Sequence, residues 1–263
     1  MTNPVIITSR QHPVSKLIRA LNSPRQRRLH GLFVASGVNT VMAALRAHWP
    51  LERLVVTPID AANGWEETAR HASVPLTLVD ADLLTYLGDL SSVPEVLALA
   101  RLPEAGHTPL PPDGLTLVLD AIGDPGNIGT LIRSADAAGA GSVLASDNSS
   151  DPFGSKAVRA SAGSVFNMPL LSWKDHSPAA LVLRLRQEHL PVVIAAAHDG
   201  QSCFDFPWPL RCALVLGHET RGVASEWEAA ASARVTIPMY GRVESLNVAA
   251  AGAVLLYAWQ TRT

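Results

Sequence analysis

The chain has 263 residues, 48% of them apolar and 17% charged, a composition that excludes a charge-rich disordered polymer and provides for the cores of two ordinary domains. The net charge of −2 conceals an uneven distribution: residues 1–30 carry Arg10, Lys16, Arg19, Arg25, Arg27 and Arg28 and no acid, residues 31–114 hold four basic against ten acidic side chains, and residues 115–263 hold eleven against thirteen. The +6 opening segment is the electrostatic footprint of a phosphate-binding surface, although a solvated basic helix explains it as well. The longest apolar run, Ala249 to Trp259 with Gly252 inside it, falls short of the roughly 20 residues of a membrane span. Met1-Thr2-Asn3-Pro4 leads into no apolar stretch of the signal-peptide type, so the cytoplasm is the expected location and no membrane partner is expected. Cys203 and Cys212 are the two cysteines; they fit neither a disulfide framework nor a zinc site, and no metal is expected.

In chain order, strand-like runs alternate with helix-like ones, the pattern of an α/β protein with largely parallel sheets. Strands are predicted near Leu32–Ala35, Leu51–Val56 and Pro75–Val79, with helices at Val38–Ala47 and Trp65–His71. Together they make a small α/β domain over residues 1–102. Residues 103–114, with Pro103, Pro109, Pro111, Pro112 and two glycines, read as an extended linker. The second domain, residues 115–263, opens on the apolar run Leu115–Leu119, of the kind a strand buried on both faces requires. Similar runs follow at Ser142–Ala145, Val192–Ala197, Cys212–Leu216 and Arg234–Ile237, and a final helix is predicted from Asn247 to about Thr261.

Three strand-to-helix junctions hold the residue types that chemistry needs. The first, Asp120 to Asp136, contains Gly123, Asp124, Pro125, Gly126, Asn127, Gly129 and Arg133. Ligands of open α/β sheets collect at the carboxyl ends of strands, where helix N-termini offer unpaired N–H groups. Glycines permit a tight turn, and Asn127 is suited to cap the helix that follows, so a plain turn explains everything except Arg133, an isolated cation almost two turns into that helix. The second junction, Leu214 to Val223, runs strand, glycine, acid, glycine, helix, with Glu219 placed to complement a helix dipole. The third, Ile237 to Ala249, ends in Ser245 and Asn247, either of which is also a good N-cap. A Rossmann-type nucleotide loop is the alternative for Gly123 to Gly129, but its spacing is G-x-x-G-x-x-G, without the close first pair of G-x-G-x-x-G.

In this order the three blocks resemble the motifs of the SpoU (TrmH-type) branch of the SPOUT RNA methyltransferases. D-P-x-N-x-G-x-x-x-R, G-x-E-x-x-G and I-P-M-x-G-x-x-x-S-L-N are all met here. Lys156 to Gly163 is similar to the family's K-x-x-R-x-S-x-G stretch. Ser9 to Pro13 and Arg27 to Gly37 resemble the small substrate-binding domain that often precedes the catalytic core. Ser36 stands where the family commonly has Glu, and Ala249 where Ser is frequent.

The resemblance implies an S-adenosyl-L-methionine-dependent methylation of a ribose 2′-hydroxyl in structured RNA, with ribosomal RNA ahead of transfer RNA. It implies an α/β fold whose C-terminal SPOUT domain has a parallel sheet and a deep trefoil knot, preceded by a small α/β substrate-binding domain. By matching position, Leu216, Gly217, Ile237, Met239 and Leu246 would hold the cofactor, largely through backbone groups. Arg133, Asn127, Glu219, Ser245 and Asn247 would form the catalytic site. Because arginine stays protonated at accessible pH, Arg133 is expected to stabilise charge on the 2′-oxygen or its neighbouring phosphate rather than act as a free base. Arg10, Lys16, Arg19, Arg25, Arg27, Arg28, Lys156 and Arg159 are the expected RNA contacts, an RNA loop the expected target and a homodimer the expected assembly. The alternative is a catalytically retired RNA-binding protein of the same fold, against which the joint survival of Arg133, Glu219, Ser245 and Asn247 speaks.

Overall fold

The computed structural model describes residues 5–88, 93–104, 109–171 and 176–261. The chain divides into two units, one up to Pro103 together with Phe153–Phe166, the other Glu104–Pro152 and from Asn167 onward.

The first unit runs β1 (Ile6–Ile7), α1 (Pro13–Ala20), α2 (Pro24–His30), β2 (Leu32–Ser36), α3 (Val38–Arg46), β3 (Leu51–Val56), α4 (Pro58–Asp60), α5 (Glu66–His71), β4 (Leu76–Val79), α6 (Ala81–Gly88) and β5 (Val96–Arg101). Its sheet has the order β1-β4-β3-β5-β2. β5 lies antiparallel to both β2 and β3, so this sheet is mixed rather than largely parallel, a correction that follows from β5 entering between two strands of opposite direction. β1, β5, α1, α2 and α6 are additions to the predicted elements. Pro13 opens α1 behind His12, whose Nδ1 accepts from the Val14 amide. Ile18 and Leu21 pack with Leu83, Leu84 and Leu87 of α6 against Val34, Val55, Leu97 and Leu99. Phe33 meets Phe153 and Phe166 at ring centroids of 5.0 and 5.9 Å, and Trp49 meets Phe166 at 5.3 Å. These aromatic contacts bind Phe153–Phe166, with Lys156 and Arg159, to the first unit, although the sequence reading puts everything past residue 114 in the second domain.

Arg27 departs from its expected role. It is 3% exposed, and its Nη1 donates to the Leu21 carbonyl at 2.7 Å and the Asn22 carbonyl at 3.1 Å, at the end of α1. These are carbonyls that a helix terminus leaves without intrahelical partners, so Arg27 serves the fold and leaves the set of RNA contacts. Arg27→Met is expected to cost about 2 kcal/mol in urea unfolding, because charge-assisted donors are withdrawn from buried acceptors, with RNA affinity of the folded protein unchanged.

The second unit contains β6 (Leu115–Leu119), α7 (Pro125–Ala137) and β7 (Ser142–Ala145). The chain then passes through α8 (Ser155–Ala160) in the first unit and returns as α9 (Pro178–Gln187), β8 (Val192–Ala195), β9 (Gln201–Ser202), β10 (Cys212–Leu216), α10 (Ser225–Ala230), β11 (Ala233–Thr236) and α11 (Val248–Gln260). The sheet order is β7-β6-β10-β8-β11-β9, with every pairing parallel. Leu181, Leu185 and Trp227 from α9 and α10 cover Val118, Leu144, Ile194 and Val215. On α11, a Cβ at Gly252 would strike Leu131 of α7 and Leu216 of β10. The end of the predicted linker joins this unit: Leu110 is buried in its core and Arg211 Nε donates to the Pro111 carbonyl at 3.4 Å, while residues 105–108 lie outside the described residues. Cys203 and Cys212 are both buried, and burial, with Asp205 nearby, pushes the Cys203 thiol up so that it stays protonated at neutral pH. Among the described residues no helix is long and apolar enough to cross a membrane, and no group of three His, Cys, Asp or Glu could hold a metal ion.

Candidate active site

The three junctions follow β6, β10 and β11, parallel strands that deliver their carboxyl ends to one edge of the sheet. Asp124 is the N-cap of α7, its Oδ1 accepting from the Asn127 amide at 3.0 Å, with Pro125 at the first helical position. Asn127 is therefore not the cap. Placed one turn inside the helix, it turns its side chain elsewhere: Nδ2 donates to Glu219 Oε1 at 2.9 Å and Oδ1 accepts from Asn247 Nδ2 at 3.3 Å. Asn247 in turn caps α11, its Oδ1 accepting from the Ala249 amide at 2.9 Å and the Ala250 amide at 3.4 Å. Capping and site-building are both done by Asn247. A single hydrogen-bonded line, Glu219–Asn127–Asn247, thus joins all three junctions across 92 and 120 positions of sequence.

The loop after β10 is fixed from two sides. His218 and Gly222 exchange backbone hydrogen bonds of 2.9 Å, and the Ala224 amide donates to Asp120 Oδ2 at 2.8 Å. Asp120, at the end of β6, is 1% exposed and is an anchor that the sequence reading did not single out. Gly217 is required by close approach, since a Cβ there would run into the Gly222 carbonyl and the Val223 nitrogen. α10 starts only at Ser225, so Glu219 does not sit at its N-terminus and acts instead as the acceptor for Asn127.

Beside this line lies a cavity of about 350 Å³, in the size range of small-molecule sites. Leu216, Gly217, Ile237, Met239 and Leu246 come together on its wall, as do Glu219 and Ser245. Asn127 adjoins it through Glu219, and Asn247 lies between the wall residues Leu246 and Val248. Arg133 does not line it: it is exposed on α7 and makes no hydrogen bond or ion pair among the described residues. Residues outside the expected site also line the cavity, among them Ala195 at the end of β8, Ala196 to His198 beyond it, and the ion-paired Glu228 and Arg234. The signal that marks the β8 segment is the same as for the others, a buried apolar run whose carboxyl end opens into a loop. Glu219, Glu228 and Glu244 outnumber the Arg234 cation on the wall, while Leu216, Val248 and Leu255 supply apolar surface. The cavity therefore suits a ligand that carries positive charge together with an apolar part.

An all-parallel sheet whose strand-end loops enclose such a cavity defines an α/β enzyme-type ligand-binding domain. Residues 114–257 match the SpoU rRNA Methylase family and residues 13–98 the MRM3-like substrate binding domain. The chain belongs to the SpoU rRNA methylase family. It is 31% identical over 260 residues to the 23S rRNA (uridine(2479)-2'-O)-methyltransferase of Streptomyces viridochromogenes, covering 95% of this chain and 90% of that protein. It is 28% identical over 239 residues to the 23S rRNA (guanosine(2553)-2'-O)-methyltransferase RlmP of Bacillus subtilis, covering 91% and 92%. Among solved structures it is similar to the SpoU methyltransferase AviRb from Streptomyces viridochromogenes in complex with AdoMet, with a TM-score of 0.85 at 29% identity over 95% of this chain and 97% of that one. The AdoMet-bound rRNA methyltransferase from Sinorhizobium meliloti matches with a TM-score of 0.84 at 26% identity over 97% of each chain.

Proposed function

We propose that this protein methylates a ribose 2′-hydroxyl of ribosomal RNA with S-adenosylmethionine as donor. The observation that carries the proposal is the convergence of the second and third family motifs on one cavity, with the first motif tied to both by the Glu219–Asn127–Asn247 line. The chemistry of the wall fits the cofactor: its carboxylates suit a sulfonium and an ammonium, its apolar side chains suit an adenine, and Leu216, Gly217, Ile237, Met239 and Leu246 would hold it. When bound, S-adenosylmethionine supplies an electrophilic methyl group.

The protein's tasks are to align the acceptor oxygen and to handle its charge. A ribose hydroxyl is a weak nucleophile until its proton passes to solvent water, and Arg133 stabilises the oxygen anion so formed or the adjacent phosphate as a permanent cation. Glu219, Asn127 and Asn247 hold the three loops in register, and Ser245, on the cavity wall, would stand beside the bound cofactor. Asn127→Asp sets a carboxylate against Glu219 in place of an amide donor. It is expected to lower single-turnover methyl transfer about tenfold or more, the equivalent of one lost hydrogen bond to a charged group.

The same reading includes a deep trefoil knot, supported by the insertion of β10 between β6 and β8 and by the cavity formed where the chain passes on from β10 and β11. It also includes a homodimer, supported by the exposed apolar side chains of Tyr240, Val243 and Tyr257 near or on α11, and action in the cytoplasm, where ribosomal RNA lies. The exposed Arg10, Lys16, Arg25, Arg28 and Lys156, with the half-buried Arg19 and Arg159, are the RNA contacts of this reading. Calorimetric titration separates it from a dinucleotide-dependent enzyme: S-adenosylmethionine binds and NAD does not. NAD binding in its place, or methyl transfer confined to transfer RNA, would overturn the proposal or its substrate.

A further inference from the structure

Arg10, in the turn before α1, and Arg19, in the last turn of α1, both lie against the ring of Tyr86 on α6, with guanidinium carbons 4.2 and 4.6 Å from its centroid. Tyr86 is half-buried and packs against the core between α1 and α6, so its ring is a fixed platform. Arg19 Nη1 also donates to the Tyr86 carbonyl at 3.2 Å, which locks that side chain in place. Arg10 is exposed, and among the described residues it makes no hydrogen bond or ion pair. Asp82, one helical turn before Tyr86, forms no ion pair with Arg10 among the described residues.

Stacking on an aromatic face restrains the plane of a guanidinium and leaves its N–H edge open. That edge matches two phosphate oxygens, and an ordered fork loses less rotamer freedom on binding than a mobile one. We infer that Arg10, stacked on Tyr86, is a preorganised fork for the phosphate backbone of the substrate RNA, Tyr86 acting as the residue that positions it and Arg19 clamping Tyr86 through its ring and carbonyl. The inference rests on the reading of the protein as an RNA methyltransferase. The favoured ligand is a phosphodiester chain because Arg10 and Arg19 lie in the +6 segment, and Arg19 and Tyr86 lie in the stretch that matches a substrate binding domain, residues 13–98. Tyr86 carries no charge and sits far from the basic segment in sequence, so composition gives no hint of it.

The test is fluorescence anisotropy of the full chain with a labelled, unstructured RNA of about 20 nucleotides, titrated from about 50 to about 200 mM salt. Arg10→Gln is expected to weaken binding about fivefold and to lower the slope of log K against log salt by about 0.7, one single-strand phosphate contact, with its thermal midpoint unchanged. Tyr86→Leu is expected to behave likewise, while Tyr86→Phe, which keeps the ring, binds as the wild type does. Unchanged affinity and slope in both Arg10→Gln and Tyr86→Leu, in a preparation whose wild type binds RNA and methylates it, would overturn the fork alone. A wild type that neither binds nor methylates RNA would overturn the fork together with the functional reading beneath it.

Discussion

Arg133→Ala is expected to lower single-turnover methyl transfer by about 10²–10³-fold at saturating cofactor, with S-adenosylmethionine affinity unchanged. Arg133 is exposed and partnerless among the described residues, so its removal leaves the fold within about 0.5 kcal/mol of the wild type. It also lies off the cavity wall, so the cofactor loses no contact. What disappears is a permanent cation offered to the oxygen that becomes negative during transfer. Arg133→Lys restores charge without the planar fork and is expected to recover the rate only in part. A normal rate in Arg133→Ala would remove this residue from the chemistry and place acceptor activation elsewhere.

Gly217→Ala is expected to weaken S-adenosylmethionine binding by at least about a hundredfold, the equivalent of roughly 3 kcal/mol. The added methyl meets backbone atoms, the Gly222 carbonyl and the Val223 nitrogen, rather than a flexible side chain. The loop cannot yield without breaking its own His218–Gly222 pair or the Ala224–Asp120 bond. Gly123→Ala is the matched control, since a Cβ there meets nothing within 4 Å and binding is expected to be normal. Isothermal calorimetry on both variants decides the point; wild-type affinity in Gly217→Ala would mean that this loop is not the cofactor loop.

The second unit was the more legible part of the fold for a physical reason. Parallel strands covered on both faces are continuous apolar runs, and β6 and β10 are read directly from Leu115–Leu119 and Cys212–Leu216. The three junctions stood out because caps, glycines and prolines cluster where strands become helices. Within the first of them the Asp124-Pro125 pair is the stronger start signal, a capping side chain followed by proline at the first helical position, which frees Asn127 for the site.

What escaped the sequence depends on contacts between distant positions. Arg27 looks like the arginines around it, and nothing local shows that its guanidinium closes the end of α1. β5, although apolar, gives no sign that it runs antiparallel between β2 and β3. The attachment of Phe153–Phe166 to the first unit depends on rings at Phe33 and Trp49, more than a hundred positions away. Ser36 is buried in β2 with an Oγ that finds no hydrogen-bond partner among the described residues. Arg133 was identified by motif alone, because its geometry within one chain distinguishes it from a surface cation in no other way.

The decisive experiment incubates the protein with methyl-labelled S-adenosylmethionine and unmethylated 23S ribosomal RNA, digests the RNA and separates its nucleosides. Label is expected in a single 2′-O-methylnucleoside, with an initial rate at least about a hundredfold lower when Arg133→Ala replaces the wild type. Label on a base, or no transfer from a preparation that binds the cofactor and the RNA, would contradict the proposed function.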